Sequence, residues 1–358
     1  MTPLAEILAR RIAQTGPITL ADYMAECLLH PAHGYYTRRD PLGAAGDFTT
    51  APEISQMFGE LLGLCLAQFW LDMGRPAGVT LAELGPGRGT LMADILRATR
   101  GVAGFHAAVS VHLVEASPRL RAEQAARLQA CAPVWHDTAD SLPDAPLLLV
   151  ANEFFDALPI RQFRKDRGGW REHVVGLTDG RLAFGLTDAA PRPDLDALYP
   201  SEPAGTVVET CPAALAPLAA LSGRIGRHGG LALVVDYGGW VSRGDTFQAL
   251  KAHAFADPFA EPGAADLTAH VDFAALVRAT PLAHAYATQG EVLKALGIDA
   301  RAARLAAGLS GAALESHLAA HRRLTDPAEM GSLFKALALF RADGPRPAGF
   351  PADQSQNA

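Results

Sequence analysis

The sequence predicts an α/β protein of the Rossmann-like class, built on a mostly parallel sheet. Short apolar runs alternate with segments of helical periodicity, and these runs fall at 79–84, 110–115, 147–151 and 231–236. A glycine-rich segment follows the first run directly and precedes a helical pattern over 91–99. Strands that alternate with helices favour a parallel sheet with helices on both faces, and a glycine-rich turn after the first strand is typical of its nucleotide-binding members.

The segment before this core is expected to be a helical extension. Apolar residues recur at helical spacing over 4–12, and the pattern ends at Gly16. A second helix is expected to begin near Thr19. Residues 30–52 are punctuated by glycine and proline and predict a long loop, a kind of segment that is often functional. A strongly apolar helix is expected over 53–73.

Between the third and fourth apolar runs, 169–187 predicts an antiparallel hairpin. Two alternating segments flank Asp179 and Gly180, a pair typical of a two-residue hairpin turn. We interpret this ribbon as an insertion near 160–205. The expected organisation of the whole chain is a helical N-terminal extension with an active-site loop at 1–75, a Rossmann-like core at 76–240, a C-terminal part completing the substrate side at 241–345 and a flexible tail at 346–358.

Composition excludes several classes of protein. The chain has 358 residues, 49% of them hydrophobic, and a formal net charge of −7, which disfavours a nucleic-acid-binding protein. Its four cysteines lie far apart without a C-x-x-C pair, so we expect no metal site. The apolar runs are far shorter than the roughly 20 residues that span a bilayer. With no pattern of a secretory signal or transit peptide, we expect a cytoplasmic bacterial protein without membrane insertion.

The segment ELGPGRGT, residues 83–90, indicates a binding site for S-adenosylmethionine. Gly85, Gly87 and Gly89 let the backbone turn tightly and approach a ligand closely. A dinucleotide fingerprint would place glycine where Thr90 stands, so a dehydrogenase is disfavoured. Glu83 suits the cationic amino end of the methionine moiety, whereas it would repel a phosphate.

Three residues that follow the later strands complete the predicted donor site. Glu115 ends the second strand and is suited to accept hydrogen bonds from both ribose hydroxyls of an adenosine. Asp137 stands where the adenine amino group would be recognised. Asn152 ends the third strand, at the sheet edge where open α/β folds bind ligands, and is placed beside the reactive methyl group.

The loop before the apolar helix is a candidate lid over the donor. We expect Asp47, Thr49 and Thr50 to take part in donor binding when this loop closes and excludes water. The alternative is that Thr50 and Glu53 form a capping box at a helix start, and both roles are compatible.

The sequence resembles the MidA-type methyltransferases, whose mitochondrial members assist respiratory complex I assembly by methylating an arginine. The resemblance runs over most of the chain, and the strings GDFTTAPEIS and ADLTAHVDF are its most specific parts. It is carried by HPAHGYYTRRDPLGAAGDFTTAPEISQMFGE at 30–60, ELGPGRGTLMADILR at 83–97, VEASPRLR at 114–121, NEFFDALPIRQF at 152–163, VVDYG at 234–238, PGAADLTAHVDF at 262–273, TQGEVLKALGI at 288–298 and MGSLFKAL at 330–337.

This resemblance implies a class I fold, S-adenosylmethionine as donor and symmetric dimethylation of an arginine in the complex I subunit beside the quinone site. For a bacterial member the substrate is that subunit or another protein. A guanidinium stays protonated, so a carboxylate must bind it, and Glu153 is our first candidate. The proton that is lost on methylation needs an acceptor. Candidates for that role are Asp47, Asp156, Asp236, His270 and Asp272.

Two other functions remain open from the sequence. A small-molecule methyltransferase would keep the donor site but enclose its acceptor in an apolar pocket. An assembly chaperone would bind S-adenosylmethionine and hold a protein subunit with little turnover. Incubation with a labelled donor separates the small-molecule enzyme from a protein-arginine enzyme. Full rescue of a deletion strain by Glu153→Ala would favour the chaperone.

Overall fold

The computed structural model describes residues 2–38 and 49–351. Within it the chain folds into two compact units, each drawn from several separate segments. The first unit consists of the described residues of Met1–Phe48, Asp156–Leu215 and Trp240–Asp272. The second unit consists of the described residues of Thr49–Phe155, Ala216–Gly239 and Phe273–Ala358.

Strands are numbered in chain order. They are β1 (Ile18–Thr19), β2 (Val79–Leu84), β3 (Val109–Val114), β4 (Val134–His136), β5 (Leu147–Asn152), β6 (Arg161–Asp166), β7 (Gly169–Thr178), β8 (Arg181–Leu186), β9 (Val207–Thr210), β10 (Gly230–Gly239), β11 (Gln248–Lys251), β12 (Ala254–Ala256), β13 (Asp266–Thr268), β14 (Val271–Asp272), β15 (Ala283–Thr288) and β16 (Phe334–Phe340).

The α-helices span the following segments: Pro3–Thr15, Leu20–Leu29, Tyr35–Arg38, Ala51–Ile54, Gln56–Asp72, Thr90–Ala98, Phe105–Ala108, Pro118–Arg127, Pro193–Leu198, Leu215–His228, Phe273–Arg278, Gln289–Ala295, Ile298–Ala306, Gly311–Thr325 and Met330–Leu333. Short 3-10 helices lie at Thr99–Gly101, Gln129–Cys131, Ala139–Ser141 and Pro212–Ala214. In the described part of the chain, no helix is both long and apolar enough to cross a membrane.

The second unit contains the mostly parallel sheet, in the order β15-β16-β10-β5-β2-β3-β4. Neighbours from β10 to β4 run parallel, whereas β16 is antiparallel to both β10 and β15. The predicted α/β class is confirmed. Strands β4, β15 and β16 extend the sheet beyond the four predicted strands. Alanine is the commonest residue of β15 and recurs in β16, and alanine is depleted in strands.

The apolar helix predicted over 53–73 is interrupted. Ser55 has extended backbone angles and separates helix Ala51–Ile54 from helix Gln56–Asp72. Its hydroxyl accepts a hydrogen bond from the backbone N–H of Met57, so a serine cap starts the second helix. The prediction of one continuous helix was therefore wrong, because apolar periodicity continues across the break.

Small residues let helix Gln56–Asp72 approach helix Thr90–Ala98 closely. A methyl group on Gly59 would lie 2.7 Å from Cβ of Asp94, and one on Gly63 would lie 2.8 Å from Cα of Ile95. Since real side chains do not tolerate such contacts, both positions need glycine. This packing fixes the helix that follows the glycine-rich loop.

The first unit carries antiparallel sheets. One has the order β1-β7-β6-β9, with β8 paired to β7, and the other has the order β12-β11-β13. The predicted hairpin is confirmed, since β7 and β8 pair in antiparallel register around Asp179 and Gly180. Their φ angles are +51° and +74°, as a two-residue hairpin turn of this kind requires. A core that includes Leu8, Tyr23 and Val175 holds these elements together.

Candidate active site

Four polar side chains of the second unit lie at the carboxyl ends of its parallel strands. Glu83 belongs to β2, Glu115 follows β3, Asn152 ends β5 and Asp236 lies near the end of β10. All four are buried. Burial of a polar group is unfavourable unless it has a partner, so their concentration at one edge marks a functional site.

The glycine-rich loop adopts a conformation that only glycine takes readily. Gly85, Gly87 and Gly89 have φ angles of +61°, +51° and +77°. The N–H of Gly85 donates to the carbonyl of Val114 at 3.0 Å, which joins the loop to β3. A methyl group on Gly85 would also lie 3.0 Å from Cδ2 of Phe154. The sequence-based prediction of a tight turn between β2 and a helix is thus confirmed.

Among these four side chains, Glu83 gives the clearest indication of a bound ligand. Its side chain is 3% exposed, and its Oε2 has no hydrogen-bond partner among the residues that the structure describes. Burial raises its pKa to about 8, and the nearby Glu115 adds to this rise, while the backbone N–H of Met92 opposes it. A bound ammonium group would supply the missing partner and charge, so this carboxylate fits the methionine end of S-adenosylmethionine.

Glu115 is held by two hydrogen bonds. Its Oε1 accepts from the backbone N–H of Ser117 at 2.8 Å, and its Oε2 accepts from the amide of Gln124 at 3.2 Å. Burial raises the pKa of this carboxyl group, although these bonds counteract the rise. Sequence reasoning missed Gln124, because a glutamine within an ordinary amphipathic helix gives no local signal.

The predicted adenine contact, Asp137, lies directly after β4. Its side chain is 88% exposed and forms an ion pair with Arg121 at 2.5 Å. An exposed carboxylate beside an arginine is typical of a solvated surface pair, which contributes little to stability. The recognition of adenine by Asp137 stays a prediction.

Asn152 and Glu153 form the turn that leaves β5. Glu153 has a φ of +51°, a left-handed conformation that is unfavourable for a residue with a side chain. Its Oε1 accepts hydrogen bonds from the backbone N–H of Ala51 and from the side-chain amide of Asn152, both at 3.1 Å. The Oδ1 of Asn152 is buried, and the described residues offer it no partner. The turn therefore presents an unsatisfied acceptor at the sheet edge.

The predicted lid is only partly described. Asp47 lies outside the described residues, while Thr49 and Thr50 are half-buried just before helix Ala51–Ile54. Thr50 occupies the N-cap position, but its side chain makes no capping hydrogen bond. Glu53 instead accepts a hydrogen bond of 2.6 Å from the hydroxyl of Thr90. The predicted capping box is wrong, because Glu53 reaches across to the helix after the glycine loop.

Asp236 fixes the backbone after β5. It is fully buried, and its Oδ2 accepts from the N–H groups of Phe154 at 3.2 Å and Phe155 at 2.9 Å. Its Oδ1 accepts from the N–H of Tyr237 at 3.0 Å. A buried carboxylate with three backbone donors is well satisfied. These contacts place Asp236 in support of the turn that carries Glu153.

The three remaining predicted residues, Asp156, His270 and Asp272, lie in the first unit. Asp156 is buried, and its carbonyl accepts from the N–H of Ala269 at 3.0 Å. The N–H of His270 donates to the hydroxyl of Thr246 at 2.9 Å. Burial raises the pKa of Tyr36 well above its usual range, and the charges of Asp266 and Asp156 contribute to that rise. Buried acidic and phenolic groups thus gather near Asp156 within this unit.

The fold and the donor-site geometry together define a Rossmann-like methyltransferase. Left-handed glycines, a buried carboxylate without a partner and a second carboxylate after the next strand are the features of that class. A model of the S-adenosyl-L-methionine-dependent methyltransferase family matches residues 61–292. The chain belongs to this family, and the resemblance to the MidA-type methyltransferases is confirmed.

Relatives match over nearly the whole chain. The mitochondrial protein arginine methyltransferase NDUFAF7 of Danio rerio is 38% identical over 93% of this chain and 86% of the relative. The Homo sapiens protein of that name is 38% identical over 95% of this chain and 84% of its own length. A crystal structure of a Burkholderia thailandensis protein bound to S-adenosyl-homocysteine has a TM-score of 0.81 at 29% identity, covering 96% of this chain and 95% of that chain.

Proposed function

We propose that this enzyme transfers methyl groups from S-adenosylmethionine to an arginine side chain of a protein. The observation that carries the proposal is the 38% identity with proteins named as protein arginine methyltransferases, which extends over 93% of the chain. The acidic character of the segment after β5, with Glu153 and Asp156, supports a cationic acceptor.

In this proposal the second unit holds the donor. Glu83 binds the ammonium group of the methionine moiety, and Glu115 accepts hydrogen bonds from the ribose hydroxyls. Gly85, Gly87 and Gly89 allow the backbone to approach the ligand closely. Asp137 is assigned to the adenine amino group and Asn152 to the region of the reactive methyl. The segment with Asp47, Thr49 and Thr50 excludes water from the site.

S-adenosylmethionine supplies an electrophilic methyl group when it is bound. Glu153 holds the guanidinium and draws its positive charge away from the attacking nitrogen. Asp236 keeps the turn around Glu153 in place through Phe154 and Phe155, so we assign it a positioning role. The nitrogen loses one proton as the new carbon–nitrogen bond forms, and Asp156 and His270 stay predicted candidates for its acceptor.

The first target that we propose is the complex I subunit beside the quinone site, as the resemblance implies. Its arginines would be examined by mass spectrometry in a deletion strain and after complementation. Wild type and Glu315→Ala, an exposed control, are expected to restore a dimethylarginine, whereas Glu153→Ala is not. A subunit that is identical in both strains would exclude this target.

Incubation of the purified enzyme with labelled donor and a proteome of the deletion strain tests the reaction class. Label in methylated arginine of a protein is the expected result. Label in small molecules alone would indicate a small-molecule methyltransferase. Donor binding with no transfer to any acceptor would favour an assembly chaperone.

A further inference from the structure

Gln124 connects the glycine loop to the carboxylate that follows β3. It lies on helix Pro118–Arg127 and is fully buried. Its Nε2 donates to the carbonyl of Gly87 at 2.7 Å and to Oε2 of Glu115 at 3.2 Å. Its Oε1 accepts from Nε1 of Trp135 at 2.8 Å.

These three contacts determine how the amide is oriented. Indole nitrogen only donates, whereas a carbonyl and a carboxylate only accept. A reversed amide would set its oxygen against Gly87 and Glu115 and its nitrogen against Trp135. The network therefore permits one orientation, and both amide hydrogens are directed at the proposed donor site.

The helix is also packed directly on the loop. A methyl group on Gly89 would lie 3.5 Å from Cγ of Gln124 and 3.4 Å from Cδ1 of Leu128. Gly89 thus allows the loop and the helix to meet at ordinary van der Waals contact. The position of Gln124 is set by packing as well as by hydrogen bonds.

We propose that Gln124 is a positioning residue for S-adenosylmethionine binding, which fixes Gly87 in the loop and aims Glu115 at the ribose hydroxyls. This inference rests on the proposed donor site. Glu115 has Ser117 on one oxygen and Gln124 on the other, so its plane is defined by two opposed donors. Loss of Gln124 leaves one oxygen of a buried carboxylate without its donor, and the carboxylate is then free to rotate.

The test compares S-adenosylhomocysteine with an analogue that lacks both ribose hydroxyls, by calorimetry. Gln124→Met preserves the length of the side chain and removes all three hydrogen bonds. It is expected to weaken the binding of S-adenosylhomocysteine about tenfold, because hydrogen bonds to charged groups are stronger than those between neutral groups. Binding of the analogue is expected to weaken by about threefold or less, because Glu115 has no hydroxyls to hold there.

Kinetics and a double-mutant cycle provide independent readouts. Gln124→Met is expected to raise KM for the donor by about tenfold and to leave kcat at saturating donor within about twofold. Combined with Glu115→Gln it should add little to the loss caused by Glu115→Gln alone, because both act through the ribose contact. Trp135→Phe removes only the indole donor and should give a smaller loss in the same direction.

Gln289→Met is the matched control. Gln289 is equally buried in the second unit, and its amide donates to the carbonyl of Leu324 at 2.9 Å, away from the glycine loop. Its variant should bind both ligands like the wild type. Melting temperatures of all variants show whether each is folded.

Two results would overturn the inference, and they are distinguishable. Equal losses for both ligands in Gln124→Met and in Trp135→Phe would show that Gln124 serves packing only. The wild type could instead bind both ligands with equal affinity, and Glu115→Gln could leave that affinity unchanged. Glu115 would then not bind the ribose hydroxyls, and the positioning role of Gln124 would be refuted with it.

Discussion

The backbone N–H of Ala51 donates a hydrogen bond of 3.1 Å to Oε1 of Glu153, across 102 residues of sequence. Glu153 stands in a left-handed conformation directly after β5, and Ala51 begins the short helix Ala51–Ile54. The carboxylate thereby satisfies an N–H group that a helix start would otherwise leave without a partner. Glu153, the candidate substrate-binding residue, therefore also holds the start of the helix that follows the predicted lid.

Two substitutions at Glu153 separate these roles. Glu153→Gln keeps an oxygen acceptor for Ala51 and should retain stability, but methyl transfer should fall about a hundredfold because a guanidinium would be misplaced without the charge. Glu153→Ala should also lower the free energy of unfolding by about 1–3 kcal/mol, because the N–H of Ala51 loses its partner. Turnover assays and chemical denaturation measure the two effects.

Asp179→Ala is the control for backbone strain, since Asp179 has the same φ of +51° in the exposed turn between β7 and β8. It should lose stability through strain alone and keep full turnover. Full turnover in Glu153→Gln would contradict the proposed contact with a guanidinium.

Glu83 makes the stability of the ligand-free protein depend on pH. Its pKa is raised from 4.5 to about 8 by burial. Its contribution to the free energy of unfolding is therefore fully present below pH 4.5 and is lost as the pH rises through 8. Glu83→Gln cannot ionise. Its melting temperature should exceed that of wild type at pH 8, and the difference should narrow toward pH 4.5.

The same carboxyl group couples ligand binding to protons. A bound ammonium favours the ionised form, so S-adenosylhomocysteine should release a proton from the protein below pH 8. Calorimetry in buffers of different ionisation enthalpy measures this release. Glu83→Gln should bind the ligand at least about tenfold more weakly and release no such proton, whereas exposed Glu315→Gln should behave like the wild type. An unchanged proton count in Glu83→Gln would refute the assignment.

Gly85→Ala should impair the donor site in two ways. The left-handed conformation costs about 1–2 kcal/mol once a side chain is present, and the new methyl would press on the ring of Phe154. Gly78→Ala is matched, since its φ is +67° and nothing lies within 4 Å of the new methyl. Denaturation should show a lower free energy of unfolding for both variants. In calorimetry, only Gly85→Ala should lose ligand binding. Equal binding by the two variants would argue against a close approach at Gly85.

A pair of histidines on the adjacent strands β3 and β4 should make the stability of the protein fall in acid. Nδ1 of His112 lies 2.9 Å from Nε2 of His136, and Ser110 and Ser141 bond to the outer nitrogens. Burial lowers the pKa of His112 to about 4, with a further contribution from His136. Its contribution to stability is therefore present above pH 6.5 and is lost as the pH falls through 4.

His112→Gln removes one titrating member of this pair while keeping a side chain that forms hydrogen bonds. The difference in melting temperature between pH 7 and pH 5 should be smaller in this variant than in wild type. His106→Gln is a comparison, because His106 bonds to Thr99 rather than to a second histidine. Equal acid sensitivity in His112→Gln and wild type would exclude the pair as its source.

Local pattern made the core of the fold predictable. The strands β2, β3, β5 and β10 are mostly apolar and mostly buried, as is typical of parallel strands covered on both faces. The break at Ser55 was not predicted, because the apolar residues Ile54, Met57 and Phe58 keep helical spacing across it. Strands β15 and β16 were missed because β16 pairs with β10, and β15 with β16, through residues that are distant in sequence.

The sequence by itself determined the glycine loop, the hairpin turn and the strand-end carboxylates, because each follows from local periodicity or from a backbone angle that few residues adopt. Tertiary structure decided which of these groups have hydrogen-bond partners. Only packing brings Gln124 to Glu115 and Ala51 to Glu153, and only burial leaves an oxygen of Glu83 without a partner. Ala51 and Glu153 are 102 residues apart along the chain, and hydrogen-bond satisfaction is a property of the folded interior.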